Sequence, residues 1–250
     1  MQRILALGYA LVAYLIFFAT FLWLVAFVAD FQMAPTTVNH AVEGSSLGLA
    51  IITDLLLIAL FGMQHSLMAR PAFKESWTKL VPRSVERSTY VLAASIMLAI
   101  LLSFWRPILG TLWDLRGSAV EPLLWALFFA GWTVLFVSTW LINHFELFGL
   151  QQAWFHGHER VAPPPKLRQP LFYRYVRHPL YLGFILGFWS TPHMTYGHLL
   201  FAAGMTVYIL IGIAHEERDL VTYFGRDYEE YRGRVGMLIP GIGRRAPPAG

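Results

Sequence analysis

The chain has 250 residues, of which 56% are hydrophobic and 14% charged, with a net charge of +4 and no cysteine. Soluble domains carry about 25% charged residues, so this composition excludes an ordinary soluble domain. The lack of cysteine excludes disulfides, thiolate nucleophiles and thiolate metal sites. Because the basic residues fall between apolar blocks, the positive surplus indicates membrane topology and not nucleic-acid binding.

Six apolar segments predict an all-α, polytopic membrane bundle with about five to six spans in a single domain, 1–250. Residues 1–145 hold the first four segments, which are about Ile4–Ala29, Leu47–Leu67, Tyr90–Trp105 and Leu123–Ile142. The last two, about His178–Trp189 and His198–Ala214, predict a helix hairpin around the turn at 190–192. The first arm is too short to cross a ~30 Å hydrocarbon core alone, so we expect it to pack inside the bundle or to be only partly inserted.

After the hairpin, Glu216–Tyr231 predicts an amphipathic helix at the membrane interface. Apolar and aromatic residues recur there at three- and four-residue spacing, namely Leu220, Tyr223, Phe224, Tyr228 and Tyr231. The helix could serve as an anchor or as a lid over a ligand, with Gly225 allowing a bend. Val235–Pro240 then predicts an apolar return strand or loop.

The distribution of lysine and arginine predicts the orientation. Seventeen of the 19 lie in 70–87, in 160–177, in the tail 218–245 or at Arg3, and only Arg106 and Arg116 lie on the opposite side. The positive-inside rule makes the richer side cytoplasmic. We therefore expect a multi-pass membrane protein with both termini in the cytoplasm. The proline run at 163–165 predicts a stiff spacer before the hairpin.

Polar side chains gather at the cytoplasmic ends of several predicted spans. They are Gln64, His65, Asn143, His144, Glu146, Arg177, His178, His215, Glu216 and Glu217. A single such residue usually extends to the lipid headgroups. Convergence from four helix ends favours a functional site instead, since ionisable groups at that depth are costly unless paired or hydrated.

The C-terminal third resembles the isoprenylcysteine carboxyl methyltransferase superfamily, whose members are integral-membrane enzymes that use S-adenosylmethionine. The segments that carry the resemblance are RHPLYLG, from Arg177 to Gly183, and HEERDLVTYFGRDYEEYRGRVGMLIP, from His215 to Pro240. Together with Tyr173 they cover about a quarter of the chain. Gly236 and Leu238 depart from the pattern of the prenylcysteine enzymes, which weakens any transfer of their substrate but not of their cofactor.

The N-terminal part resembles the bacterial methanethiol S-methyltransferases, which convert methanethiol to dimethyl sulfide. This resemblance rests on MQHSLMARPAFK at 63–74, ERSTYVL at the start of the third span, and NHFELFGLQQ at 143–152. It implies a small thiol as the substrate.

The superfamily resemblance implies an S-adenosylmethionine site within residues 170–241. The residues implied are Tyr173, Arg177, His178, Tyr181, Gly183, His215, Glu216, Glu217, Tyr228 and Tyr231. A glutamate suits the ammonium group or the ribose hydroxyls, and His178 with Arg177 suits the carboxylate. Tyrosine rings suit the adenine or the sulfonium. The sequence has no glycine-rich dinucleotide loop and no regular histidine spacing for a metal.

A thiol substrate also needs a group that favours the thiolate, because thiols ionise near or above the cysteine value of about 8.5. His65 and His144 are the candidate bases, with Glu146 or Asn143 as orienting residues, and Arg234 is a candidate for stabilising the anion. Two alternatives stay open. One is a methyltransferase for a lipid or a prenylated cysteine, and the other is a non-catalytic membrane partner protein.

Overall fold

A computed structural model describes residues 2–40, 46–155, 167 and 169–244. The proline run of the predicted spacer lies outside the described residues. The long helices are α1 (Gln2–Val28), α2 (Leu47–Ala69), α4 (Arg83–Phe104), α5 (Glu121–Ile142) and α9 (Tyr196–Phe224). The shorter helices are α3 (Pro71–Trp77), α6 (His144–Leu147), α7 (Leu150–Trp154), α8 (Pro179–Trp189) and α10 (Arg226–Arg234). A 3-10 turn, Leu171–Arg174, and two strands, β1 (Thr111–Asp114) and β2 (His193–Thr195), complete the described elements.

The predicted all-α membrane class is confirmed. In the described part of the chain, five helices of 22 to 29 residues are apolar and long enough to cross a bilayer. Two of them begin with a side-chain cap, since Ser46 caps α2 and Thr195 caps α9 by accepting from backbone N–H groups. α8 has only 11 residues, or about 16 Å, and it lies inside the bundle against α5 and α9.

Small residues let α8 approach α5 more closely than larger side chains would allow. Gly183 and Gly187 on α8 are one turn apart and face Gly131 and Trp132 on α5. A β-carbon added at Gly183 would lie 2.6 Å from the Gly131 carbonyl oxygen. This is the small-residue packing typical of membrane helices, and it holds the short helix in place.

We therefore expect Gly183→Ala to lower the free energy of unfolding by about 1–3 kcal/mol, because the new methyl group meets backbone atoms that cannot move aside. Gly8→Ala on α1 is the matched control, since nothing lies within 4 Å of its added β-carbon. Unfolding in detergent measures both variants. Equal stability of the two would contradict the close approach.

A two-stranded antiparallel ribbon closes the end of the bundle where α8 turns into α9. β1 pairs with β2, with an irregularity between Thr111 and Trp113. The loop after α1 joins this end, because Thr195 donates to Asn39 (2.7 Å) and Thr36 donates to the Leu102 carbonyl (2.7 Å). The sequence did not predict this ribbon, whose strand β2 lies in the connection between α8 and α9.

The predicted interfacial helix Glu216–Tyr231 is wrong in its boundaries. α9 continues to Phe224, and the chain bends at Gly225, whose φ of +55° favours glycine. The remainder forms α10, whose buried Tyr228 and Tyr231 pack with Val235. The chain then returns as the sequence predicted, with Gly236 bridging in parallel to Val176 just before α8.

Candidate active site

One cavity of about 900 Å³ runs from the start of α8 into the middle of the bundle. Its apolar wall comes mainly from α1, α4, α5 and α8 and includes Phe17, Phe18, Phe21, Leu24, Leu98, Phe136 and Phe184. Its polar wall includes His65, Ser66, Arg87, Tyr90, His144, Tyr173, Arg177, His178, Tyr181, Tyr208, His215, Glu216, Asp219, Tyr228 and Tyr231. Eight of the ten predicted cofactor residues and both candidate bases, which lie far apart in sequence, therefore line one chamber.

Arg177 is the centre of the interactions at the start of α8. Its Nε and Nη2 lie 2.7 and 2.6 Å from Glu217 Oε1. Nη1 donates to the carbonyls of Arg232 (3.2 Å) and Val235 (2.5 Å), and Nη2 donates to that of Gly243 (3.2 Å). Four N–H groups of the guanidinium thus donate within the protein, and Nη2 also forms the closest contact of the Glu217 ion pair. Arg177 joins α8, α9 and the tail, and all three of its nitrogens are engaged by the protein itself.

The two adjacent glutamates of α9 have different surroundings. Glu217 is buried and accepts from His178 Nε2 at 3.3 Å in addition to Arg177. Glu216 lies 3.9 Å from His178 Nδ1, hydrogen-bonds the Tyr181 hydroxyl and leaves 44% of its side chain exposed. Glu217 is therefore occupied in an internal ion pair, and Glu216 is the carboxylate that borders the cavity.

Three tyrosines line the cavity beside this pair. Tyr231 donates to the Tyr173 carbonyl at 2.7 Å, and burial raises the pKa of Tyr231 to about 12, which keeps that proton in place at neutral pH. Burial, aided by the Glu217 charge, also raises the pKa of Tyr228. Among the described residues nothing pairs with the buried Tyr228 hydroxyl. A buried donor without a partner is uncommon, so the Tyr228 hydroxyl is available to a ligand.

His65, on α2, lies between tyrosines from two other helices. Its Nε2 is 2.9 Å from the Tyr90 hydroxyl on α4, and its Nδ1 is 2.9 Å from the Tyr208 hydroxyl on α9. Ser66 donates to Tyr208 at 3.5 Å. The Arg87 guanidinium lies 5.7 Å from the centre of the Tyr90 ring. His65 and all four neighbours line the cavity.

The ring of His144, the second candidate base, is enclosed by hydroxyl and aromatic neighbours. Thr139 donates to the Phe136 carbonyl (2.7 Å), so its oxygen accepts from His144 Nδ1 (2.8 Å). Nε2 then accepts from the Tyr14 hydroxyl (2.9 Å), and the ring stacks on Trp140 at 4.4 Å. Burial lowers the pKa of His144, so the ring is neutral. Its orienting contacts come from Thr139 and Tyr14, and not from Asn143 or Glu146 as the sequence led us to expect.

Several predicted residues lie away from the cavity wall. Glu146 is exposed and accepts from Asn143 at 2.8 Å, and Arg234 is exposed and donates to the Glu230 carbonyl. Gly183 packs against α5, and Glu217 is behind Arg177. Sequence reasoning did not identify Tyr90 and Tyr208, the two tyrosines whose hydroxyls contact His65. The available signal was a tyrosine hydroxyl within an apolar span, which needs a partner when buried.

Comparison with known proteins supplies the family. The chain is 48% identical to methanethiol S-methyltransferase 1 of Bradyrhizobium diazoefficiens over 95% of its length and 83% of the relative. It is 46% identical to the methanethiol S-methyltransferase of Mycobacterium tuberculosis, over 96% of this chain and 98% of that one. The enzyme of that name from Crocosphaera subtropica is 43% identical over 98% and 96% of the two chains. This chain belongs to the methanethiol S-methyltransferase family.

Both resemblances seen in the sequence are thereby confirmed, since these relatives fit the isoprenylcysteine carboxyl methyltransferase-like superfamily. Like them, the protein is a methyltransferase, and its long apolar helices make it a multi-pass membrane protein. No family model matches the chain, and no solved structure matches it.

Proposed function

We propose that the protein transfers a methyl group from S-adenosylmethionine to a small thiol. The names of its relatives favour methanethiol as the substrate, which would give dimethyl sulfide as the product. One observation carries the proposal: a single cavity joins the start of α8 and the C-terminal end of α9, with the unpaired Tyr228 hydroxyl and half-exposed Glu216, to His65.

The residues at the start of α8, at the C-terminal end of α9 and on α10 fit this cofactor. The cavity is at the upper end of the ~300–1,000 Å³ that small-molecule sites occupy. Glu216 and Asp219 suit an ammonium group, and the faces of Tyr181 and Tyr228 suit a sulfonium or adenine. The Tyr228 hydroxyl suits a carboxylate or ribose oxygen. Arg177, whose three nitrogens are all engaged by the protein, holds these groups in register.

When bound, S-adenosylmethionine supplies an electrophilic methyl group. The protein then has to hold the thiol in line, remove its proton and keep water away. The phenylalanines of α1 and α5 line the chamber and exclude water. Arg87 places positive charge near the thiol, which favours the thiolate.

The contacts favour His65 over His144 as the base. Both rings bond to protein hydroxyls on both sides. The partners of His65, Tyr90 and Tyr208, line the cavity themselves, so a proton has a path from the chamber to the ring. Of the partners of His144, Tyr14 does not line the cavity, and Thr139 is occupied by the Phe136 carbonyl.

We expect Glu216→Gln to weaken cofactor affinity by about 10–100-fold, because it removes the charge of the carboxylate that borders the cavity. Stability should hardly change, since Glu217 and not Glu216 pairs with Arg177. Calorimetry of the purified protein with S-adenosylmethionine measures the affinity. Glu229→Gln, on α10 and outside the cavity wall, is the matched control. Equal affinities of both variants would place the cofactor elsewhere.

The direct test of function is an assay of the pure protein in lipid discs with labelled S-adenosylmethionine. The acceptors are methanethiol, longer alkyl thiols, a prenylated cysteine and a phospholipid. Transfer to methanethiol supports the proposal. Transfer only to the prenylated cysteine or the phospholipid would support the alternative that the apolar wall from Phe17, Phe18 and Phe21 favours. A protein that neither binds the cofactor nor transfers methyl groups would be a non-catalytic membrane partner.

We further propose a bacterial inner membrane location, with both termini, the start of α8 and the C-terminal end of α9 on the cytoplasmic side. The 17-to-2 asymmetry of lysine and arginine supports it. A reporter enzyme that is active only in the cytoplasm, fused after Gly250, should therefore be active. The same reporter inserted after Gly117, between β1 and α5, should be inactive. The reverse pattern in expressed fusions would contradict this topology.

A further inference from the structure

The Tyr90–His65–Tyr208 cluster brings together side chains from α4, α2 and α9 in the wall of the cavity. Both hydroxyls lie 2.9 Å from a different ring nitrogen. The ionisable groups near the cluster include Arg87 and Glu86 on α4 and Tyr181 on α8. The helices that carry the cluster are long and apolar enough to span a membrane, so three polar groups bonded to one another there call for a role.

The directions of the hydrogen bonds follow from the donors present. A neutral imidazole has one N–H and one bare nitrogen. Ser66 donates to the Tyr208 oxygen, so the Tyr208 O–H can point at Nδ1 of His65, and Nε2–H then donates to the Tyr90 oxygen. In this arrangement the bare nitrogen of His65 faces the Tyr208 hydroxyl at 2.9 Å, closer than the Tyr90 hydroxyl, which lies 3.2 Å from the same nitrogen.

We propose that Tyr208 relays the proton of the thiol to His65 and that Tyr90 is a positioning residue that fixes the ring. The inference rests on the proposed thiol methylation and deepens it, because it names the first proton acceptor. Tyr208 lines the cavity and its hydroxyl lies 2.9 Å from Nδ1, so a thiol at this wall can pass its proton through that hydroxyl.

Proton transfer to His65 and methyl transfer to sulfur together conserve every atom and electron pair. The S–H bond breaks and its electron pair stays on sulfur, while the proton goes to the Tyr208 oxygen. The original Tyr208 proton moves to Nδ1, which leaves a neutral tyrosine and an imidazolium. The sulfur pair forms the new bond to the methyl carbon as the methyl–sulfonium bond breaks, with that second pair left on the departing sulfur. The imidazolium later returns one proton to water along the same hydroxyl.

The test compares Tyr208→Phe with Tyr9→Phe, which removes an exposed hydroxyl bonded to Thr89 outside the cavity. At pH 7 we expect kcat/KM for methanethiol to fall by roughly 10²-fold in Tyr208→Phe and to stay unchanged in Tyr9→Phe. Without the relay, only thiolate from solution reacts. The activity of Tyr208→Phe should therefore rise about tenfold per pH unit toward the thiol pKa and approach that of the wild type.

A second readout is independent of turnover. Nitrogen NMR of protein with labelled histidine, assigned through His65→Gln, should show His65 protonated at Nε2 in the wild type. In Tyr208→Phe the proton should be shared between the two nitrogens. Cofactor affinity reports that each variant is folded. If Tyr208→Phe loses cofactor affinity, Tyr90→Phe replaces it in the test. We then expect kcat/KM to fall by about tenfold and the His65 proton to be shared between the two ring nitrogens.

The outcomes distinguish a failure of the proton relay from a failure of the proposed thiol methylation. Wild-type activity and a wild-type pH profile in Tyr208→Phe would overturn the relay while leaving thiol methylation intact. A wild-type protein inactive on every thiol would refute the proposed function, and the tautomer measured by NMR would still decide the Tyr208–His65 pairing. A uniform loss of activity in Tyr208→Phe at all pH values, with an unchanged tautomer, would reduce Tyr208 to a packing residue and overturn the relay.

Discussion

His65→Ala is expected to lower turnover by about 10²–10⁴-fold, the range that a general base contributes. Cofactor affinity should be spared, because His65 lies on α2 while the proposed cofactor residues lie on α8, α9 and α10. Turnover with saturating methanethiol and calorimetry with S-adenosylmethionine measure the two quantities separately. The loss should shrink as the pH rises, since a growing fraction of thiol is already ionised.

Two other histidines serve as comparisons. His144→Ala should mainly lower stability, because the ring is buried in an aromatic enclosure and both nitrogens are occupied. His40→Ala, with 65% of its side chain exposed at the opposite end of the bundle, should change neither turnover nor cofactor affinity. If His144→Ala loses turnover selectively and His65→Ala does not, the assignment of the base is wrong.

Arg177→Ala is expected to lower the free energy of unfolding by about 3–5 kcal/mol, the usual cost of removing one partner of a buried ion pair. The side chains of Arg177 and Glu217 are 1% and 6% exposed, so the remaining carboxylate has little access to water. The loss also releases the carbonyls of Val235 and Gly243, which detaches the tail. Cofactor affinity should fall as well. Unfolding in detergent and calorimetry measure the two effects.

The matched control is Arg226→Ala, which removes an ion pair to Glu230 whose side chains are 88% and 53% exposed. Exposed pairs contribute little, so no measurable change is expected. Arg177→Lys should be intermediate in stability, because lysine keeps the charge but offers three donors where arginine offers five. Equal stability of Arg177→Ala and Arg226→Ala would refute the structural role of the guanidinium.

The long spans and the short α8 could be predicted because the length of an apolar block is a local property. The interfacial helix was misplaced at its start because α9 continues past Glu216 without a break, and it ends only at the bend that the sequence allowed at Gly225. The β1–β2 ribbon was missed because each strand is short and gains its pairing from a partner distant in sequence.

At the site, the sequence predicted which residue types converge but not how their hydrogen bonds are distributed. Arg177 and Glu217 were expected to hold the cofactor, yet the backbone carbonyls that accept from Arg177 belong to a tail whose position only the tertiary fold determines. Tyr90 and Tyr208 escaped notice for a similar reason. Each is a single tyrosine in an apolar span, and only the packing of α2, α4 and α9 shows that both contact His65.

The partners of Arg177 have a consequence for biogenesis. The ribosome makes Arg177 forty residues before Glu217 and 66 before Gly243, so on the order of seconds pass between them. During that interval the guanidinium has no carboxylate, and placing it in lipid unpaired would be costly. We therefore expect α8 to stay at the membrane surface until α9 has emerged, so that both helices enter together. A nascent chain arrested between α8 and α9 should leave α8 accessible to water-soluble labels.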